Sequence, residues 1–187
     1  MVRINAAGGA LAEVSSGLLA VGLYKGEGIP AWLGEVANVL SEGDFAGKEG
    51  ETALIHGPNG IASPRLLLVG LGEQSSFTLD TLRRAAATAA KRARSLKLDD
   101  AAFVLPVSEG SAARTAAAEA AAEGAALGLY RFHRHKAQRA SAGAESHELT
   151  VFTLIHEDEQ DVSEAAETGV QLADAAILAR DLANEPS

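Results

Sequence analysis

The chain has 187 residues, 47% of them hydrophobic and 22% charged, with a net charge of −9 and no cysteine. A chain of this length buries roughly 70% of its unfolded surface on folding, and this composition excludes global disorder. The missing cysteines exclude a disulfide framework, a thiol nucleophile and a thiolate metal site, while the negative charge speaks against a dedicated nucleic-acid binder.

The N-terminus carries no continuous apolar run behind Arg3, so no signal peptide is expected. Nor is any apolar stretch long enough to span a bilayer. A soluble cytoplasmic protein is the expectation. The first clear element is the apolar run Gly17–Leu23 (GLLAVGL), read as a buried strand. Tyr24–Pro30 holds two glycines and a proline and is read as a loop. Pro30 suits the first turn of a helix, expected through about Leu40. Glu51–His56 and Arg65–Leu71 read as strands around the turn signal Gly57-Pro58-Asn59-Gly60, and so as a hairpin.

From there strands and helices alternate. A helix is expected over Thr78–Leu96, a strand over Ala101–Leu105, an alanine-rich helix over Ser111–Tyr130 and a strand over Leu149–Ile155. Ser141–Ser146 (SAGAES) reads as a surface loop. The closing helix starts at Asp161, a good N-cap, with Glu164 placed for a capping box. Ala166, Val170, Ala173 and Ile177 recur at helical spacing on one face. That stripe ends in Arg180 and Asp181, and Asn184 and Pro186 stop the helix. The alternation predicts an α/β fold with a mixed, largely parallel sheet between helices on both faces, a three-layer α/β/α arrangement in a single domain over residues 1–187.

The run ARDLANEPS at the chain end resembles the join between the two domains of the leucyl aminopeptidase (M17 cytosol aminopeptidase) family. There a similar A-R-D-L-x-N-x-P run closes the N-terminal domain and opens the catalytic one. FAGKEGE (Phe45–Glu51), RLLLVGLGE (Arg65–Glu73) and EGAALGLYRFHRHK (Glu123–Lys136) fit the same family in the same order. The resemblance implies a macro-domain-like, non-catalytic N-terminal domain, with residues 161–187 as closing helix and interdomain linker. It also implies a homo-hexameric parent with two divalent metal ions, Zn or Mn. Their lysine and carboxylate ligands lie in the C-terminal domain, so no catalytic, cofactor-binding or metal-binding residue is carried over to this chain. The partner it implies is the catalytic domain of the same polypeptide, and the chain alone is expected to be inactive.

Four candidate sites arise from the residues themselves. Gly70-Leu71-Gly72 follows a strand and precedes a helix, where a phosphate could meet helix N-termini. The third glycine of a dinucleotide fingerprint is missing, however, since that position is Ser75. The plainer reading is a tight turn off the sheet. His133 and His135 share a face in an extended segment and could hold a metal, but Arg131, Arg134 and Lys136 repel a cation. A solvated basic edge explains them better. The same run through Arg139 mixes Tyr130 and Phe132 with basic residues as nucleic-acid surfaces do, although the two aromatics serve equally as core anchors. Glu157, Asp158, Glu159 and Asp161 could hold Mg²⁺ or Mn²⁺, but Asp161 as a cap with acidic neighbours at a helix N-terminus is the simpler account.

There is no Gly-x-Ser-x-Gly elbow and no His-Glu-x-x-His motif. The leading expectation is the accessory half of a two-metal peptidase. The alternatives are a stand-alone nucleotide or ADP-ribose module and a DNA-contacting accessory domain.

Overall fold

The computed structural model describes residues 2–36, 40, 43–106, 111–131, 147–157 and 161–184. Six strands occur among them: β1 (Arg3–Gly8), β2 (Leu19–Tyr24), β3 (Thr52–His56), β4 (Arg65–Gly72), β5 (Asp100–Val104) and β6 (Val151–His156). They form one sheet in the order β1-β6-β5-β2-β4-β3. All neighbours pair in parallel except β3 and β4, the expected hairpin, which are antiparallel. Three long helices follow the later strands: α1 (Leu79–Ser95), α2 (Ser111–Leu129) and α3 (Ser163–Asn184).

The central strands are buried on both faces, so their sequences are continuous apolar runs rather than alternating ones. Leu67, Val69 and Leu71 of β4 point to one face with Phe103 and Phe152, whose rings stack 6.5 Å apart. Leu19, Val21, Leu66, Leu68 and Val104 point to the other. All three helices cover the first face, α1 against α2 and α2 against α3. Alanine and, at the tightest points, glycine let them lie so close. A Cβ at Gly124 would press into the backbone of Arg83, and one at Gly169 into the Glu119 carbonyl. On the opposite face, the described covering is thinner: the short 3₁₀ turns Leu11–Glu13 and Ala31–Leu33 bring Leu11 and Leu33 onto the sheet, with Val36 beside them.

Two features depart from the sequence reading. The segment Arg3–Gly8 joins the sheet as an edge strand beside β6, from Arg3 opposite Val151 to Gly8 opposite His156. The helix expected from Pro30 opens as a 3₁₀ turn that Gly34, at φ +58°, ends, and Val36 is helical again beyond it. Residues 37–39 of that expected helix lie outside the described residues.

Candidate functional site

Gly70 and Gly72 do not border an open space. The loop Gly47-Lys48-Glu49 lies across them, with Gly72 N–H donating to the Gly47 carbonyl at 2.9 Å and Gly50 N–H to the Gly70 carbonyl at 3.0 Å. Glu51 holds that loop by accepting from the N–H groups of Ala46 and Lys48 at 2.9 and 3.0 Å. The glycines are therefore needed for close approach of backbone to backbone, with the Lys48 peptide filling the space beside Gly70.

The basic run and the acidic cluster fall only partly within the described residues; Phe132–Lys136, Arg139, Ser141–Ser146, Asp158, Glu159 and Pro186 lie outside them. Tyr130 has an internal role: its hydroxyl donates to Asp181 Oδ1, tying the end of α2 to the last turns of α3. Asp161 acts as a cap, though α3 begins two residues after it. Hydrogen bonds from the Ser163 hydroxyl and backbone N–H, the latter at 2.9 Å, hold its carboxyl below the usual carboxylate range. Among the described residues no three His, Asp or Glu side chains gather to hold a metal ion. No helix among them is long and apolar enough to cross a membrane.

Helix α3 changes character along its length. Ala165, Ala166, Gly169 and Ala173 are buried, with Val170 and Ile177 half-buried on the same side. Asp181, next on that stripe, meets Tyr130. Leu178 and Leu182, one turn apart on another side, are 60% and 63% exposed. Two leucines so placed form an apolar strip without cover among the described residues.

A cleft of about 640 Å³ opens at the carboxyl ends of β2, β5 and β6. The connection leaving β2 passes over one face of the sheet, while α2, leaving β5, covers the other. Adjacent strands whose connections part in this way leave a crevice beyond their ends. Leu23, Val104 and Trp32 line it, together with Arg114 from the first turns of α2, and His156 and Glu157 from the end of β6. His156 is only 8% exposed, and among the described residues its Nδ1 has no hydrogen-bond partner. Glu27, also in the lining, accepts from Tyr24 N–H at 2.9 Å. Burial and then the Glu27 charge push the Tyr24 phenol above its ordinary pKa.

The sequence model of the cytosol aminopeptidase family, N-terminal domain, matches residues 31–139, more than half of the chain. The chain belongs to the cytosol aminopeptidase family. A probable cytosol aminopeptidase of Roseiflexus castenholzii is 36% identical over 99% of this chain and 37% of its own length. One from Acidobacterium capsulatum is 36% identical over 81% of this chain and 29% of its own. The chain thus spans about a third of the length of these relatives. Among solved structures, a mutant of tomato leucine aminopeptidase covers the whole chain with a TM-score of 0.78 at 22% identity, a likeness of fold. The bottromycin maturation enzyme BotP in complex with Mn covers 91% of the chain and 32% of its own length, with a TM-score of 0.66 and 27% identity.

In this member of the cytosol aminopeptidase family the four resembling stretches pair off in space. FAGKEGE lies over RLLLVGLGE, backbone against backbone. Tyr130, in the stretch that ends α2, meets Asp181 of ARDLANEPS. Sequence reasoning passed over the cleft residues Trp32, Arg114 and His156. The available signal was positional: residues just after a buried parallel strand, and in the first turns of the next helix, face a sheet's carboxyl edge.

Proposed function

We propose that these 187 residues form one domain, the N-terminal accessory and assembly domain of a leucyl aminopeptidase that removes N-terminal residues from peptides. Its parent would be a cytoplasmic homo-hexamer. Residues 161–187 would lead into a catalytic domain that supplies the chemistry. Two divalent ions, Zn or Mn, would be held there, activating water and polarising the scissile carbonyl. The residues described here do not fit such a pair, since no cluster of metal ligands forms among them. No residue of this chain is assigned a catalytic role.

The observation that carries this reading is the second half of α3, where Leu178 and Leu182 stand exposed beyond the last fully buried alanine. Fully burying a leucine stabilises by about 1.5–3 kcal/mol, so covering both would contribute roughly 2–4 kcal/mol to docking. The family match and the relatives' greater length support the catalytic domain as the cover.

The test is hydrolysis of a leucine anilide with Mn²⁺ or Zn²⁺ by this chain and by a parent that continues into a second domain. The parent should turn over and this chain should not. Stoichiometric activity in a clean preparation of the 187-residue chain would end the proposal.

A further inference from the structure

The cleft at the carboxyl ends of β2, β5 and β6 has a ligand chemistry that the accessory-domain reading does not use. Its volume of about 640 Å³ falls in the range of small-molecule sites, roughly 300–1,000 Å³. Leu23, Val104 and Trp32 give it apolar walls. Few polar groups converge on it, as in sites that orient a ligand.

Those groups set the class of ligand. Helices α2 and α3, of 19 and 22 residues, both begin at the cleft, which Arg114 and Val162 line. Asp161 already caps the start of α3, so the positive end of α2 and the Arg114 guanidinium are what favour a ligand carboxylate. Against them stand Glu27 and Glu157, so among the described lining residues two carboxylates accompany one guanidinium. A polyphosphate would bring its own charges against both carboxylates, an arrangement that electrostatic complementarity penalises. An ammonium group beside a carboxylate suits them instead. His156 is the built part of the site: nine-tenths buried, lining the cleft, with an Nδ1 that no described residue satisfies. Such a nitrogen costs free energy until a ligand or water meets it.

We propose that this cleft binds a zwitterion with an apolar side chain, a free amino acid or short peptide. Its carboxylate lies toward Arg114 and the start of α2, its ammonium toward Glu157 and Glu27, and its side chain against Leu23, Val104 and Trp32. The inference rests on the cleft alone and not on the docking face of α3.

Calorimetric titration of the 187-residue chain with L-leucine and leucyl-leucine tests it. At least one should bind saturably in the millimolar range or tighter. Leucinamide, which lacks the carboxylate, and N-acetyl-leucine, which lacks the ammonium, should each bind about tenfold or more weakly, a difference of about 1.4 kcal/mol. Glu157→Gln, at an exposed position, should weaken binding without changing the unfolding midpoint. His156→Gln should also weaken it. If that variant fails to fold, Arg114→Gln replaces it, with the same loss expected. Saturable binding of AMP or ADP-ribose without leucine or leucyl-leucine would overturn the assignment of ligand class. No heat with any of these at about 10 mM, beyond the weak end of ordinary affinities, would overturn the site. Neither failure touches the accessory-domain reading, because this chain is assigned no hydrolysis of its own.

Discussion

Replacing Gly70 by alanine tests the claim that this glycine serves packing and not a ligand. An added Cβ would stand 2.8 Å from the carbonyl carbons of both Gly47 and Lys48, and nearer still to the Lys48 oxygen. Carbon atoms rest at about 3.5–4.0 Å, so the loop must retreat by roughly an ångström. The atoms in the way are backbone, and no side chain can rotate aside. Overpacking of this kind costs about 1–3 kcal/mol. Retreat also weakens the Gly72–Gly47 and Gly50–Gly70 bonds, each contributing about 0.5–1.5 kcal/mol. Alanine returns about 0.5–1 kcal/mol of unfolded-state entropy. The net destabilisation is then about 2–3 kcal/mol. In a chain of this size that lowers Tm by roughly 4–12 °C.

Thermal and urea unfolding followed by circular dichroism measures the effect. Gly28→Ala is the control, since Gly28 has no atom near its missing Cβ and no positive φ. It should change stability by no more than about 0.5 kcal/mol. If both variants melt with the wild type, the close approach of loop and strand is wrong. A ligand role for Gly70 would then regain its standing.

Three further outcomes are expected. Tyr130→Phe removes the bond to Asp181 and should cost about 1–2 kcal/mol as a bond to a partly exposed charged group, read from the urea midpoint. For Asp161 the folded pKa is depressed, so its contribution is present above the unfolded value, about 3.9, and is lost as pH falls through the lower, folded one. Asp161→Ala should therefore destabilise at pH 7, by an amount that shrinks as pH falls below about 4; a pH-independent loss in thermal melts would contradict this. Leu178→Asp with Leu182→Asp should leave the Tm of this chain within the small range of surface changes, about ±0.5 kcal/mol per site. In the parent the same pair should weaken assembly, seen by sedimentation.

Most of the sheet is legible in the sequence because buried parallel strands are written as unbroken apolar runs, LLLVGL and AAFVL among them. β1 is not, since RINAAG has one large apolar residue and lies at an edge where four of its six positions are exposed. The helix expected after Pro30 is interrupted at Gly34, whose positive φ propensity alone does not foretell. The closing helix is legible to its last turn: the stripe Ala166, Val170, Ala173 and Ile177 faces inward, and its charged end finds Tyr130. The cleft is a different kind of object. Trp32, Arg114 and His156 come from three distant segments, and they converge only because β2 and β5 are neighbours. That adjacency follows from the crossover after β4, which a list of elements in chain order does not specify.

The packing of α3 explains how one helix serves two ends of the molecule. It starts at the cleft, where Val162 lines the wall and Asp161 caps the first turn. Twenty-two residues later, about 33 Å on at 1.5 Å per residue, it ends beyond the exposed leucines. Between those ends Gly169 brings its backbone against the Glu119 carbonyl, and Ala165, Ala166 and Ala173 are buried without long side chains that could repack. Close-packed backbones have few alternative arrangements, so the helix cannot easily roll or slide on α2. Tyr130 then fixes the far end at Asp181, so that the strip carrying Leu178 and Leu182 is held at a set angle to the sheet. An apolar strip presented in one orientation docks with less loss of conformational freedom than one on a fraying helix. The alanine and glycine content of α2 and α3, which adds little hydrophobic area, thus supplies the rigidity that the proposed docking face would require.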